Sequence, residues 1–448
     1  MSSLPCFKAY DVRGRVPGEI DVGLAYRIGR AYAEHVRPRR VAVGRDVRLS
    51  SPELVEALVS GLAESGVEIL DLGLCGTEQV YFAAAFYHLD GGIMVTASHN
   101  PPDYNGMKFV RKDARPISGD SGLKEIEALT ESCAAEASGK KAVRTHQDAL
   151  EDYVKHLVSY VDREQLRPLK VVTNAGNGCA GPVIDALQSH LPFRFIKICH
   201  ESDGTFPYGV PNPLLPENRE MTSRAVREHG ADVGVAWDGD FDRCFFFDEA
   251  GNFVESYYLI GLLAQALLAR HPGGKIIHDP RLTWNTIEVV RQAGGIPVMS
   301  KTGHAFIKER MRREEALYGG EMSGHHYFQD FAYCDSGMIP WLLVLEIMGR
   351  REQSLSALIE QRQRLYPISG EINRQVADPD RVLDRVESTF GPGARSVDYT
   401  DGFSCEFADW RFNLRKSNTE PVLRLNVESR GNRPLLEEMT GTILTMMV

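Results

Sequence analysis

The sequence predicts an α/β fold: mixed or parallel sheets covered by helices, closed at the C-terminus by a smaller α+β domain. Three observations predict it. Short apolar runs of strand length alternate with amphipathic stretches of helix length over most of the chain, the pattern of repeated β-α-β units. That alternation gives way around Tyr366-Pro367-Ile368-Ser369-Gly370, beyond which strand-like runs follow one another. The chain has 448 residues, and at roughly 100–200 residues per domain it divides into two to four domains.

In chain order, residues 41–44 read as a short buried strand. Residues 51–65 read as an amphipathic helix, with Ser51 as N-cap, Pro52 at the first position and Glu53 in the first turn. Strands at 67–72 and 92–97 follow. The stretch 132–147 is rich in Ala, Lys and Ser and poor in large apolar residues, so it reads as a linker or exposed segment. Strands resume at 169–173, 195–198 and 232–236, and again at 275–278, 296–299 and 316–319. Residues 258–269 form the longest apolar stretch; it includes Gln265, is too short to span a bilayer and reads as a buried helix. The C-terminal part carries strands at 403–407, 410–414 and 422–427 and a last helix. The expected boundaries are 1–145, 146–251, 252–366 and 367–448.

The formal net charge of -10 argues against a nucleic-acid or anionic-membrane binder, which would present a basic face. An acidic protein that binds phosphates must gather its basic groups and any metal locally. The eight cysteines include no C-x-x-C pair, which excludes the usual zinc and redox motifs and fits reduced thiols in the cytoplasm. The N-terminus shows no apolar core of a signal peptide.

Five groups of residues carry chemistry. Thr96-Ala97-Ser98-His99-Asn100-Pro101 follows a predicted buried strand, and ligands of open α/β sheets sit beyond the carboxyl ends of strands. A serine nucleophile needs a group to take its proton and another to stabilise charge; His99 adjoins Ser98 and Lys108 lies ten residues on. A capped turn is the ordinary alternative. Asp238-Gly239-Asp240-Phe241-Asp242-Arg243 also follows a strand, and on an extended segment its three carboxylates point to one side. Such a cluster needs a cation, and hard oxygen ligands favour Mg²⁺. An EF-hand is rejected because Arg243 stands where that loop needs glycine.

Gly320-Glu321-Met322-Ser323-Gly324-His325-His326 offers Glu321 as acceptor and Ser323 as donor and acceptor for neighbouring sugar hydroxyls. Arg415-Lys416-Ser417-Asn418-Thr419-Glu420-Pro421, with Arg424 beyond it, combines a guanidinium, hydroxyls, an amide and loop N–H groups suited to a phosphate. Its alternative is a basic turn before a strand. Arg13, in Lys8-Ala9-Tyr10-Asp11-Val12-Arg13-Gly14, and the following Arg45-Asp46 suit either a phosphate contact or surface ion pairs. The glycine-rich 174–178 matches neither a dinucleotide fingerprint nor a Walker loop and reads as a strand-to-helix turn.

Taken together and in this order, these motifs resemble the α-D-phosphohexomutase family over nearly the whole chain, from Phe7 to about Arg430, and most resemble its bacterial phosphomannomutases, including the dual phosphomannomutase/phosphoglucomutase type. The resemblance implies three related α/β domains with mixed sheets and a smaller C-terminal α+β domain, a mobile lid, around a central cleft. It implies that Ser98 is the phosphoserine and that Asp238, Asp240 and Asp242 hold one Mg²⁺ together with the phosphate on Ser98. Glu321 and Ser323 would bind sugar hydroxyls, and Arg415, Ser417, Asn418 and Thr419, with Arg424 near them, the phosphate that is not reacting. Lys108 and His325 would handle protons, His99 would stand beside the nucleophile, and Tyr10, Arg13, Arg243, Arg281 and His304 would line the cleft.

The implied reaction interconverts mannose 6-phosphate and mannose 1-phosphate through phosphoSer98 and an enclosed 1,6-bisphosphate of mannose or glucose, with glucose phosphate open as a second substrate. In-line transfer would be eased by Mg²⁺ and basic groups, and a lid would keep water from the phosphoserine. Phosphoglucosamine mutase, a sugar phosphatase using the same serine, and a non-catalytic phosphosugar sensor are the alternatives. The expected partners are small hexose phosphates, with no nucleic acid and no membrane, for a cytoplasmic monomer or weak homodimer.

Overall fold

The computed structural model describes residues 4–133, 142–416 and 422–447. The chain divides into two compact units, one of residues 1–253 and 324–352, the other of residues 254–323 and 353–448. Among the described residues, no helix is long and apolar enough to cross a membrane.

The first unit holds a mixed sheet whose strands run in the order Val12–Arg15, Tyr104–Arg111, Gly91–Val95, Arg40–Arg45, Glu68–Leu74 and Val143–His146. Arg40–Arg45 pairs in parallel with Gly91–Val95 and Glu68–Leu74, while Tyr104–Arg111 runs antiparallel to Gly91–Val95 and Val12–Arg15. Val41, Val43, Ile69, Ile93 and Val95 are buried in one core with Leu24, Ile28, Leu54 and Leu58 of the helices Val22–Val36 and Ser51–Glu64. Removing each such side chain from water contributes about 1.5–3 kcal/mol. The two helices cross on glycines: a Cβ on Gly29 would stand 2.3 Å from the Leu58 carbonyl oxygen, and one on Gly61 2.0 Å from that of Tyr26.

Two local expectations need correction here. Ser50 rather than Ser51 is the residue before the helix, because the Ser51 hydroxyl is committed to Asp46 Oδ1 at 2.6 Å instead of a helix N–H. The segment read as a linker contributes a strand, Val143–His146, which is exposed as expected but pairs in parallel with Glu68–Leu74. Residues 134–141 of that segment lie outside the described residues.

A second sheet in this unit places Cys244–Phe247, Val233–Trp237, Lys170–Asn174 and Arg194–Ile198 side by side, the first pair antiparallel and the others parallel. The glycine-rich 174–178 is the turn from strand Lys170–Asn174 toward helix Ala180–Gln188, as read. The hairpin His326–Phe328 and Cys334–Asp335 and the apolar helix Met338–Arg351 complete the unit.

In the second unit Ile296–Met299, Lys275–His278 and Tyr318–Gly320 pair in parallel, with the largely buried helix Ser256–Arg270 matching the predicted apolar stretch. Its other sheet is wholly antiparallel, in the order Ile372–Gln375, Val422–Ser429, Trp410–Lys416, Phe403–Glu406 and Ser396–Asp398. Helices Pro379–Phe390 and Arg433–Met446 pack on a core of Phe403, Phe412, Leu414, Leu425 and Val427. The predicted α/β class with a smaller C-terminal α+β domain is the observed one.

Candidate active site

Three parallel strands of the first sheet end at one edge, and the chemistry begins there. Arg40–Arg45 runs into Asp46 and Arg48, Glu68–Leu74 into Gly76 and Thr77, and Gly91–Val95 into Thr96 and Ser98. Tyr104–Arg111 returns beside the last of these with Lys108 opposite Met94. Ser98 is buried, and its φ of 49° lies in the left-handed region that non-glycine residues avoid. Its backbone N–H donates to Thr96 Oγ1 at 2.9 Å, and its hydroxyl donates to Asp238 Oδ2 at 2.7 Å. His99 Nδ1 is 3.0 Å from the same hydroxyl and also accepts from Arg243. A guanidinium only donates, so Nδ1 is the acceptor and the ring proton sits on Nε2. Desolvation, then the charges of Arg243 and Arg13, hold the His99 pKa well below its ordinary value. His99 is therefore a neutral imidazole beside the serine.

The acidic motif occupies the hairpin between Val233–Trp237 and Cys244–Phe247, whose register pairs Trp237 with Cys244. The segment is not extended as expected: Phe241 has φ 44°, and the six-residue turn coils inward. The convergence survives by other means. Asp238, Asp240 and Asp242 are all buried, and each offers an oxygen within 4.8 Å of the others. The Phe241 ring anchors the turn where a Cβ on Gly76 would stand 2.2 Å from it, and a Cβ on Gly239 would stand 2.7 Å from the Ser98 carbonyl oxygen. The acidic loop and the serine loop are thus in backbone contact.

Charge in this cluster is only partly balanced. Lys108 Nζ donates to Asp240 Oδ2 at 2.7 Å and to Asp242 Oδ2 at 2.5 Å, and Arg243 holds Asp238 Oδ2 through Nε at 2.9 Å and Nη2 at 2.6 Å. Burial alone would lower the Lys108 pKa, but Asp240 and Asp242 outweigh it and raise it. Burial, against the pull of Arg243, raises Asp238 to about 7. Asp240 accepts from Thr77 Oγ1 at 2.5 Å, yet its Oδ1 is buried with no hydrogen-bond partner among the described residues. Three buried carboxylates facing two cations, with an oxygen left over, fit a hard divalent ion. His325 Nε2 stands 3.6 Å from Asp242 Oδ1.

The second unit has the opposite arrangement. Arg281 is buried and pairs with Asp279 at 2.6 Å, with Glu371 at 3.3 Å and, at 3.9 Å, with Glu321. Glu371 also meets Arg415 at 3.3 Å and Arg424 at 3.6 Å. Burial would raise its pKa, but the arginines, Arg281 foremost, lower it. Glu321 Oε1 accepts from the Gly303 N–H at 2.9 Å, next to His304 at the start of helix His304–Glu314. Arg281, Glu321, Arg415 and Arg424, scattered in sequence, therefore share one unit and one chain of ion pairs.

Comparison with known proteins supplies the decisive observation. Four family profiles match in succession: the alpha/beta/alpha domains I, II and III of phosphoglucomutase/phosphomannomutase over residues 5–136, 151–251 and 255–366, and the C-terminal domain over residues 371–444. The chain belongs to the phosphoglucomutase/phosphomannomutase family. As a member it is a phosphohexomutase, an isomerase. It is similar to the phosphomannomutase of Salmonella typhimurium strain LT2, with 59% identity over 454 residues covering 100% of both chains. It is also similar to a protein named for phosphohexose mutases from Xanthomonas campestris, with 58% identity covering 99% of both. A solved phosphoglucomutase/phosphomannomutase family protein from Burkholderia thailandensis shares the structure with a TM-score of 0.89 at 34% identity, over 100% of this chain and 97% of that one.

Within this mutase family frame, Ser98, His99, Lys108, Asp238, Asp240, Asp242, Arg243 and His325 lie together in the first unit, and Arg13 joins them by donating to Asn100 Oδ1 at 2.7 Å and pairing with Asp11 at 2.5 Å. Tyr10 and Ser323 are half-buried, each within its own unit. Ser417, Asn418 and Thr419 lie outside the described residues. Sequence reasoning missed Arg48, Thr77, Asp279 and Glu371. Arg48 and Thr77 follow the ends of parallel strands, which was a usable signal. Glu371 carries no local motif, since its partners lie 44 and 90 residues away in Arg415 and Arg281.

Proposed function

We propose that the chain is a phosphomannomutase that interconverts mannose 6-phosphate and mannose 1-phosphate through phosphoSer98 and a 1,6-bisphosphate. The observation that carries this reading is the 2.7 Å contact of the Ser98 hydroxyl with Asp238 inside the buried aspartate trio. The near-identity in length and the 59% identity to a phosphomannomutase support the choice of sugar. Asp238, Asp240 and Asp242 would hold Mg²⁺, which when bound offsets charge on the transferring phosphoryl oxygens.

The chain's own groups do the rest. Arg243 and Arg13 offer N–H donors to the transferring oxygens and hold Asp238 and Asn100 in place. Lys108 and His325, both beside Asp242, would handle the protons. Neutral His99 stands beside the serine and gives Arg243 an acceptor. Glu321 and Ser323 would hold the sugar, with Tyr10, Arg281 and His304 beside it. Arg415 and Arg424, with Ser417, Asn418 and Thr419, would bind the distal phosphate. Glucose or mannose 1,6-bisphosphate serves as activator, and the working domains are 1–145, 146–251, 252–366 and 367–448. The acidic charge and the free cysteines support a cytoplasmic protein with neither nucleic-acid nor membrane partners, and its proposed assembly is a monomer or weak homodimer.

A coupled assay with mannose 1-phosphate, glucose 1-phosphate and glucosamine 1-phosphate tests the substrate. Mannose 1-phosphate is expected to turn over fastest. Ser98→Ala is expected to lower kcat by about 10³- to 10⁵-fold while substrate still binds. Near-parental turnover in that variant, with no phosphoserine in the parent protein, would sink the mechanism.

A further inference from the structure

Arg48 lies between the strand Arg40–Arg45 and the helix Ser51–Glu64, and only 1% of it is exposed. A buried guanidinium needs partners for its charge and its donors. Its Nη donors go to one place, while Nε makes no hydrogen bond among the described residues and faces the Asp46 carboxylate. Nη2 reaches the carbonyl oxygens of Ser98 at 3.0 Å and Asn100 at 2.6 Å, and Nη1 those of Pro101 at 2.6 Å and Tyr104 at 2.9 Å. Asp46, 3.3 Å away, supplies the counter-charge and turns the Arg48 N–H into the same corner at 3.0 Å. One side chain therefore grips four carbonyls of a single seven-residue loop, and the first belongs to Ser98, whose backbone is in the left-handed region. A non-glycine residue stays there only when its surroundings over-determine it.

We infer that Arg48 is a positioning residue for phosphoryl transfer, holding the strained Ser98 loop so that Ser98 Oγ returns to the same place beside Asp238 on both passes, as the ester oxygen on the first and the free hydroxyl on the second. The inference rests on Ser98 being the nucleophile. Transfer to and from one serine requires the loop to return to the same place twice in each turnover, and misplacement by about 1 Å costs on the order of 10²-fold in rate. Lysine keeps the charge but not the planar fork that spans four carbonyls.

The test measures Arg48→Lys and Arg48→Ala beside Ser98→Ala. Arg48→Lys is expected to lower kcat, and the rate at which glucose 1,6-bisphosphate phosphorylates Ser98, by about 10²-fold. KM and Mn²⁺ affinity should stay within about 3-fold, since the sugar groups and the aspartates are untouched. Free guanidinium should restore part of kcat to Arg48→Ala. A folded Arg48→Lys with parental kcat overturns the inference, as does unfolding of both variants, which would make Arg48 a residue of the fold alone. If Ser98→Ala itself stays active, the failure lies with the serine mechanism instead.

Discussion

The aspartate cluster of the first unit and the arginine cluster of the second solve one problem with opposite signs. Both bury charge, and buried charge must be compensated. Around Ser98 the carboxylates of Asp238, Asp240 and Asp242 exceed Lys108 and Arg243, and one oxygen of Asp240 is left over. Around Glu371 three guanidiniums share a carboxylate, with Asp279 tied to Arg281. In the proposed reading the first cluster would receive a cation and the second would give up an internal anion to an external one. A mutase needs both, since one phosphate reacts while the other is only held.

The largest break in that contrast comes from Asp240→Asn. It removes a charge that Lys108, Thr77 and the cation would all use. Mn²⁺ affinity, measured by direct titration, should fall by at least about 100-fold, beyond the range typical of outer-shell partners. Unchanged affinity would move the metal elsewhere. Next comes Gly239→Ala, which leaves every charge in place and pushes a methyl against the Ser98 carbonyl, 2.7 Å from the new Cβ. A drop in kcat of about 10- to 100-fold with Mn²⁺ binding within about 3-fold is expected. Equal losses in both would mean that the variant disrupts the carboxylates rather than the serine.

How much of this was readable follows from where the partners lie in sequence. The acidic hairpin and the serine loop each place their side chains within six consecutive residues, so residue type and the preceding strand sufficed to single them out. Their conformation did not follow: the aspartates converge through a left-handed Phe241, not through an extended run. Ser51 looked like a cap because a serine before proline usually is one, but a buried Asp46 competes for its hydroxyl. The strand Val143–His146 was hidden by its largely polar composition, since every residue of it is exposed and it is held by its backbone ladder and by ion pairs of Arg144 with Asp71 and Glu56, not by apolar packing. Glu371 was invisible because it owes its importance to groups brought to it by the fold; Arg48 follows a strand end, a signal that marked its place but not the four carbonyls it holds.

A smaller effect is expected at Glu371. Glu371→Gln leaves Arg281, Arg415 and Arg424 without their shared anion, so inorganic phosphate should bind about 3- to 10-fold more tightly, on the order of 1 kcal/mol for one charge removed from a partly wet site. Calorimetric titration checks it. Weaker phosphate binding would show that Glu371 positions the arginines instead of competing for them.

Another buried carboxylate sharpens the contrast because its named partners include no cation. Glu78 is fully buried and accepts from Tyr153, from Ser336 Oγ at 2.7 Å, and from the N–H groups of Gly337 and Met338 at the start of helix Met338–Arg351. Burial, against these donors, raises its pKa from 4.5 to about 8. The folded chain therefore holds this proton more tightly than the unfolded chain, and stability from this group is fully present below about 4.5 and drains away as pH rises toward 8. Glu78→Gln cannot titrate. The Tm of the parent relative to that variant should thus fall by about 5 °C or more across the window, with kcat little changed. A gap that widens in the parent's favour as pH rises would mean that neutral donors alone keep a buried carboxylate ionised, and that the aspartate trio needs its cation less than the contrast with Glu371 implies.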